Sequence, residues 1–396
     1  MTFVMTSYYS SNDIPMAKAS LVRGGATVVP VAPVAPTAPL TWAKSKANTT
    51  PLTEDQIQKL ISQGYTRSLA ESLNTTKQEF SLRIWVIDNS GSMQAADGHR
   101  MIEVNNGNLK MVDCTRWAEI SDCVEYHIKL ASLIKAPTRF RLLNAPSAAI
   151  GPAQFSVAEN ANQYPQDEVR SAVSMLRQVR PGGCTPLTHH VLEIHREVEA
   201  MTPELRRNGQ RVSITICTDG LPTDERGYGG TQFQKEFVES LRQLEGLPVW
   251  VVIRLCTDDD DVVDFYNGLD EVLELSIDVL DDFLGEAKEV YVENSWLNYT
   301  LPLHRVREFG HHDRLLDMID ERALTTSEIR DFCVLLFGAD LFDGAPDPSS
   351  DMKGFLKVVE RAVRASTDQW NPIKRKAKAL VSTKRINRCY GHGFCR

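Results

Sequence analysis

Apolar, β-branched runs alternating with helix-patterned stretches constrain this chain more than any other feature. FSLRIWVID (80–88), TRFRLLN (138–144), RVSITICTDG (211–220) and LPVWVVIRLCT (247–257) read as strands, with QFSVAE (154–159) and EVLELSI (271–277) as shorter ones. Between them lie helical patterns. In VDCTRWAEISDCVEYHIKLASLI, Trp117, Ile120, Val124, Ile128, Ala131 and Ile134 fall at helical spacing. PQDEVRSAVSMLRQV, TPLTHHVLEIHREVEAM, FQKEFVESLRQLEG, DDDDVVDFYNGL and DVLDDFLGEAKEVYVEN also read as helices. Strands that are apolar throughout are covered on both faces. The expected fold is therefore α/β: a doubly wound, mostly parallel, Rossmann-like sheet with helices on both faces.

Flanking segments divide the rest of the chain. Residues 1–50 are expected to be disordered, because PVAPVAPTAP places proline at every third position and favours an extended spacer. Residues 51–76 are expected to form a helical hairpin, with Thr53 as N-cap and Gln56 completing a capping box. This helix–Gly–aromatic–helix order resembles the first two helices of a ubiquitin-associated domain, but a third helix is missing. The sheet domain spans 80–295. LPLHRVREFG, HHDRLLDMIDE, TTSEIRDFCVLLFG and DMKGFLKVVERAVRAS then predict a small helical region over 296–370, without strands. Residues 371–396 read as a basic tail.

Composition bounds the function classes. With 42% hydrophobic and 24% charged residues in 396, the chain can bury a core without disulfides or metals. A net charge of −8 does not suggest a nucleic-acid binder. The charge is uneven: residues 258–290 carry thirteen acids and one base, whereas residues 371–396 carry eight bases and no acid, leaving −16 on the remainder. Two solvated surfaces, or the tail docking on the acidic segment, are preferred to a nucleic-acid or membrane role. Four prolines between Gly24 and Ala43 rule out a spanning helix there. The N-terminus lacks the pattern of a secretory signal, so the protein is expected to be intracellular and cytoplasmic. Organelle targeting stays open, though Lys18 and Arg23 are its only basic support. Cys114, Cys123, Cys184, Cys217, Cys256, Cys333, Cys389 and Cys395 are then expected to be reduced thiols.

Three short segments carry chemistry as a set. Asp88-Asn89-Ser90-Gly91-Ser92 ends the first core strand, Gly182-Gly183-Cys184-Thr185-Pro186 precedes a helix, and Thr218-Asp219-Gly220 ends the VSITIC strand. In a doubly wound sheet, ligands bind beyond the carboxyl ends of the strands. Two carboxylates and three hydroxyls then form an all-oxygen set, which suits Mg²⁺ or Mn²⁺ rather than zinc.

These segments resemble the von Willebrand factor type A domain and its metal-ion-dependent adhesion site. All five positions of the D-x-S-x-S, Thr and Asp motif are present in order. The resemblance covers residues 80–295. It implies that Ser90 and Ser92 bind the metal directly, Thr185 directly or through water, and Asp88 and Asp219 through water or by accepting from the serine hydroxyls. It further implies a protein partner that presents an Asp or Glu carboxylate to the ion, and no catalysis. A degenerate site without metal is the bland alternative.

Other readings are weaker. A hydrolase would need G-x-S-x-G, but Asp88 and Ser92 stand at the glycine positions. His189, His190 and His195 suit helix packing or surface roles. The adjacent pairs His189–His190 and His311–His312 diverge on a helix and make poor joint ligands. Asp258–Asp261 follow Thr257, which reads as an N-cap, so these acids serve the helix start; a second cation site or a fence against wrong partners is the alternative. Asp224, Glu225 and Arg226, with Tyr228 beyond them, are candidate rim residues. The insertion Gln94–Lys110 could form a hairpin beside the site. Cys389, His392 and Cys395 form C-x2-H-x2-C with no fourth ligand nearby. Two alternatives to an adhesion module stay open: a scaffold whose metal is capped internally, by Asp343, Asp347 or the tail, and a non-catalytic subunit of a larger enzyme complex.

Overall fold

The computed structural model describes residues 50–104, 108–159 and 165–391. The proline-rich segment up to residue 49, and His392 and Cys395, lie outside the described residues.

The described chain opens with α1 (Glu54–Ser62) and α2 (Arg67–Glu79). Thr53 and Gln56 form the expected capping box on α1. Next come β1 (Phe80–Ile87), the insertion strands β2 (Gly98–Val104) and β3 (Asn108–Cys114), and α3 (Arg116–Ile134). β4 (Thr138–Leu142), β5 (Gln154–Val157), α4 (Pro165–Gln178), α5 (Leu187–Asn208), β6 (Arg211–Thr218), α6 (Thr231–Arg242) and β7 (Val249–Leu255) follow. The sheet closes with α7 (Asp260–Asn267), β8 (Ile277–Leu280) and α8 (Phe283–Glu293).

The six-stranded sheet has the order β5-β4-β1-β6-β7-β8. All neighbours pair in parallel except β4 and β5. From β1 the chain builds outward to β4 and β5, then returns to place β6 on the other side. The switch point therefore lies between β1 and β6, where a doubly wound sheet opens a crevice. Both sheet faces are covered. Trp85, Ile87, Phe140 and Cys217 pack under α3 and α4, while Ile84, Val86, Ile214 and Ile216 alternate to the opposite face and are equally buried.

After the sheet come α9 (Leu301–Glu308), α10 (Arg314–Glu321), α11 (Thr326–Phe337) and α12 (Met352–Ala365). Their core is shared with α1 and α2: Leu60, Leu69 and Leu73 belong to one cluster with Trp296, Leu303, Phe332 and Phe355, and Leu130 and Ile134 of α3 join it.

Four local expectations differ from the structure. The last sheet strand is Ile277–Leu280 rather than 271–277, because Asp278 and Leu280 pair with Val252 and Arg254. Strands do not stop at 295: β9 (Gln369–Asn371) and β10 (Lys376–Lys378) form an antiparallel pair. The basic segment is folded as far as Gly391. It continues into α13 (Thr383–Tyr390), buries Leu380, Val381 and Ile386, and donates from Arg385 to Ser295 O at 2.9 Å. Finally, α7 is capped by Asp259, which accepts from Asp261 N and Val262 N, while Thr257 only accepts from Asp259 N. No helix among the described residues is long and apolar enough to cross a membrane.

Candidate metal centre

Parallel register brings the motif residues together. Ile87 pairs with Cys217, so Asp88 and Thr218 leave adjacent strands side by side. The Thr218 hydroxyl donates to Asp88 Oδ2 at 2.7 Å, and Ser90 N donates to Asp88 Oδ1 at 2.8 Å. Residues 91–94 form a single 3₁₀ turn. That turn aims Ser92 back at the β6 end, where its hydroxyl donates to Asp219 Oδ1 at 2.8 Å. Ser90 Oγ lies 3.0 Å from Ser92 Oγ.

That spacing tests whether these residues fit an ion. Oxygens about 2.1 Å from an octahedral Mg²⁺ sit about 3.0 Å apart at adjacent vertices. The two serine oxygens have that separation, and the surrounding donors are hydroxyls and carboxylates, as a hard cation requires.

Thr185 enters through its loop. Gly91 N donates to Gly183 O at 3.2 Å, and Gly182 N donates to Asn89 O at 2.7 Å. Thr185 is buried, and its backbone is tied to Thr223: Thr185 N donates to Thr223 Oγ1, and Thr223 N donates to Thr185 O, both at 3.0 Å. Among the described residues its hydroxyl makes no hydrogen bond to Asp88, Ser90, Ser92 or Asp219. The structure therefore links the side chains of Ser90, Ser92 and Asp219 directly, ties Asp88 to them through the Ser90 backbone amide, and brings Thr185 alongside on a tethered loop.

Burial sets the electrostatics. Asp88 and Asp219 are almost fully buried. Burial, then the neighbouring Asp219 charge, raises the Asp88 carboxyl to about 6, despite the hydrogen bonds from Ser90 and Thr218. Two close, buried carboxylates call for a positive charge.

Part of that charge comes from Arg116, which sequence reasoning missed. Its Nη1 donates to Asp219 Oδ2 at 2.9 Å, while Nε and Nη2 grip Asp97. Asp97, then Asp219, hold the guanidinium above its ordinary range. Asn89 and Asn144 were also missed. Asn144 N donates to Asn89 Oδ1 at 2.8 Å, and Asn144 clamps Cys184 through both its backbone partners, Cys184 N and Cys184 O. Gly183 has φ +98, and a side chain there would fall on the Asn144 amide oxygen, so glycine is required at this point.

The insertion is an antiparallel hairpin of β2 and β3, stapled to α3 by His99 N donating to Glu119 at 2.8 Å. Asp224 Oδ1 accepts from Arg226 N and Tyr228 N, which leaves Tyr228 65% exposed. His190 is buried against Leu143 O, and His189 pairs with Glu193. Asp347 is engaged locally by Ser349, and Asp343 lines a cavity with Lys357 and Arg361.

No protein-family model and no curated protein matches this chain.

Proposed function

We propose that the chain is a von Willebrand type A-like module that binds another protein in a cation-dependent way. The observation that supports this reading is the convergence of Ser90, Ser92 and Asp219, joined by hydrogen bonds, at the carboxyl ends of β1 and β6 and above the switch point of the sheet. Ser90, Ser92 and Thr185 would hold Mg²⁺ or Mn²⁺, whose charge and open coordination position supply the attraction for an Asp or Glu carboxylate on the partner. Asp219 orients the Ser92 hydroxyl, Asp88 holds the Ser90 backbone amide, and the two carboxylates would balance the ion. Asn89 and Asn144 fix the Thr185 loop against the serine turn. The reading includes no catalysis. An intracellular location goes with it, supported by the buried thiols of Cys123, Cys217, Cys256 and Cys333.

Arg116 favours a second reading, in which the rim is satisfied internally and the domain serves as a scaffold. Affinity purification from source lysate separates the two. Wild type with Mg²⁺, wild type with EDTA, and Asp88→Ala/Ser90→Ala with Mg²⁺ are compared. Proteins retained only in the first arm support the adhesion reading. Identical retained sets, with a chelator that lowers only the melting temperature, support the scaffold.

A further inference from the structure

Opposite charges sit on two separate stretches of the folded chain. Residues 258–290 carry thirteen acids and one base, whereas residues 352–396 carry twelve bases and two acids. The fold does not pair them within one chain. Among the described residues, no ion pair joins an acid of 258–290 to a base of 352–391.

The acidic stretch turns over at Asp270-Glu271-Val272-Leu273-Glu274, between α7 and β8. Leu269 and Leu273 are buried one turn apart, which leaves Val272 pointing outward at 53% exposure. The turn is braced. Val272 N and Leu273 N donate to Leu269 O, Arg242 donates to Val272 O at 3.1 Å, and Glu274 N donates to Glu245 at 2.9 Å. Asp270, Glu271 and Glu274 are exposed and make no ion pair among the described residues. The turn is thus an apolar knob flanked by three carboxylates.

The basic stretch offers the matching hole. Lys353, Lys357, Arg361 and Arg364 follow at spacings of four, four and three, so they share one face of α12. Lys357, Arg361 and Arg364 border a cavity of about 540 Å³ whose apolar lining includes Leu341, Pro346 and Val358. Leu341 is 51% exposed there. Asp343 and Glu360 also line it, but Glu360 lies 3.9 Å from Arg364 and accepts from Thr383 at 3.4 Å. Lys353, Lys357 and Arg361 have no acidic partner among the described residues. No residue of 258–290 lines the cavity.

We propose that the Val272 turn of one copy docks into the Leu341–Val358 groove of a second copy, its carboxylates meeting Lys357 and Arg361. Charge complementarity selects this occupant. Apolar contact alone would accept any hydrophobic side chain, but only a segment with acids on both sides of the apolar residue also answers the cations. A nucleic acid would pair with the cations and leave Leu341, Pro346 and Val358 uncovered, and the groove has no aromatic side chain on which a base could stack. Knob and hole are different surfaces, so the contact is head-to-tail, and a docked pair still has one knob and one hole free. A single turn in a single groove buries little area, so the association is weak and reversible.

The test is sedimentation velocity on the full chain, in EDTA so that the metal rim plays no part, at up to about 1 mM protein. Wild type is expected to associate with rising concentration at about 0.1 M salt and to dissociate at about 1 M, where the Debye length falls from about 10 Å to about 3 Å. The knob variant Glu271→Gln/Val272→Ser and the hole variant Lys357→Gln/Arg361→Gln are each expected to be monomeric alone, with Tm unchanged because the altered side chains are exposed. Mixed in equal amounts, they are expected to form a dimer and nothing larger, since only one intact knob and one intact hole remain. A wild type that stays monomeric throughout overturns the proposal and leaves the groove to a different acidic partner. Association that persists in either variant alone, or variants that do not combine when mixed, also overturns it.

Discussion

Arg116 Nη1 donates to Asp219 Oδ2 at 2.9 Å, from a guanidinium whose other face holds Asp97 of the inserted segment. The carboxylate that orients Ser92 is thus tied to a cation from the first turn of α3, and through it to the residues that lead into the β2–β3 hairpin.

Removing that charge should tighten cation binding. Two unit charges a few ångströms apart interact by about 1 kcal/mol in water and about 4 kcal/mol at an effective dielectric near 20. Arg116→Gln is expected to strengthen Mg²⁺ binding about tenfold, which corresponds to about 1.4 kcal/mol. Calorimetric Mg²⁺ titration of both proteins checks this, and weaker binding in the variant would contradict the electrostatic role.

Gly183→Ala should damage the site through the backbone. The residue sits at φ +98, and its new methyl group would meet an Asn144 oxygen that is fixed by Cys184 N. Strain of this kind costs about 1–3 kcal/mol. Urea unfolding is expected to show that loss, and Mg²⁺ affinity is expected to fall with it because Thr185 follows on the same loop.

Asp317 gives a pH-dependent prediction away from the rim. It lines an acidic cavity of about 520 Å³ with Asp278, Glu286, Glu289, Asp320 and Arg307. Burial, then Asp278, pushes its carboxyl up to about 7; Arg307 opposes the shift, while Asp320 and Asp313 add to it. An unfolded aspartate titrates near 3.9. The folded chain therefore holds the extra proton between these values, and stability from this group is present at low pH and lost as pH rises through about 7. Asp317→Asn is expected to raise Tm by about 2–4 °C at pH 8 and to leave it unchanged at pH 4. Thermal melts at both values decide.

Tyr228 stands out from a loop braced by Asp224, and is 65% exposed. An exposed aromatic beside the rim suits an interface anchor, worth about 2 kcal/mol when truncated. Tyr228→Ala is expected to weaken partner retention while leaving Mg²⁺ affinity and urea midpoint unchanged.

The parts that the sequence made legible share a physical cause. Asp88 and Asp219 each follow a continuous apolar strand, and parallel strands deliver their ends to one edge, so local runs sufficed to place both. Arg116 and Asn144 had no such signal. Arg116 meets Asp219 across 103 residues, and Asn144 meets Asn89 across 55. Nothing periodic marks a lone Arg or Asn for a tertiary partner. β8 was misplaced because EVLELSI has the better strand composition, whereas IDVL pairs on the sheet edge despite Asp278. β9 and β10, at three residues each, are too short for any period. The basic charge of that segment hid Leu380, Val381 and Ile386, which bury it. The approach of Cys123, His127 and His304 to the Glu308 carboxylate was equally hidden, because Cys123 and His127 come from a helix far away in the chain.

The most direct test of the rim is a manganese titration followed by electron paramagnetic resonance, on wild type and on Asp88→Ala/Ser90→Ala, with Mg²⁺ as competitor. Wild type is expected to bind one Mn²⁺ that Mg²⁺ displaces, with affinity lowered about 100-fold or more in the double variant. Equal Mn²⁺ binding by the two proteins would contradict a cation site built on Asp88, Ser90, Ser92, Thr185 and Asp219.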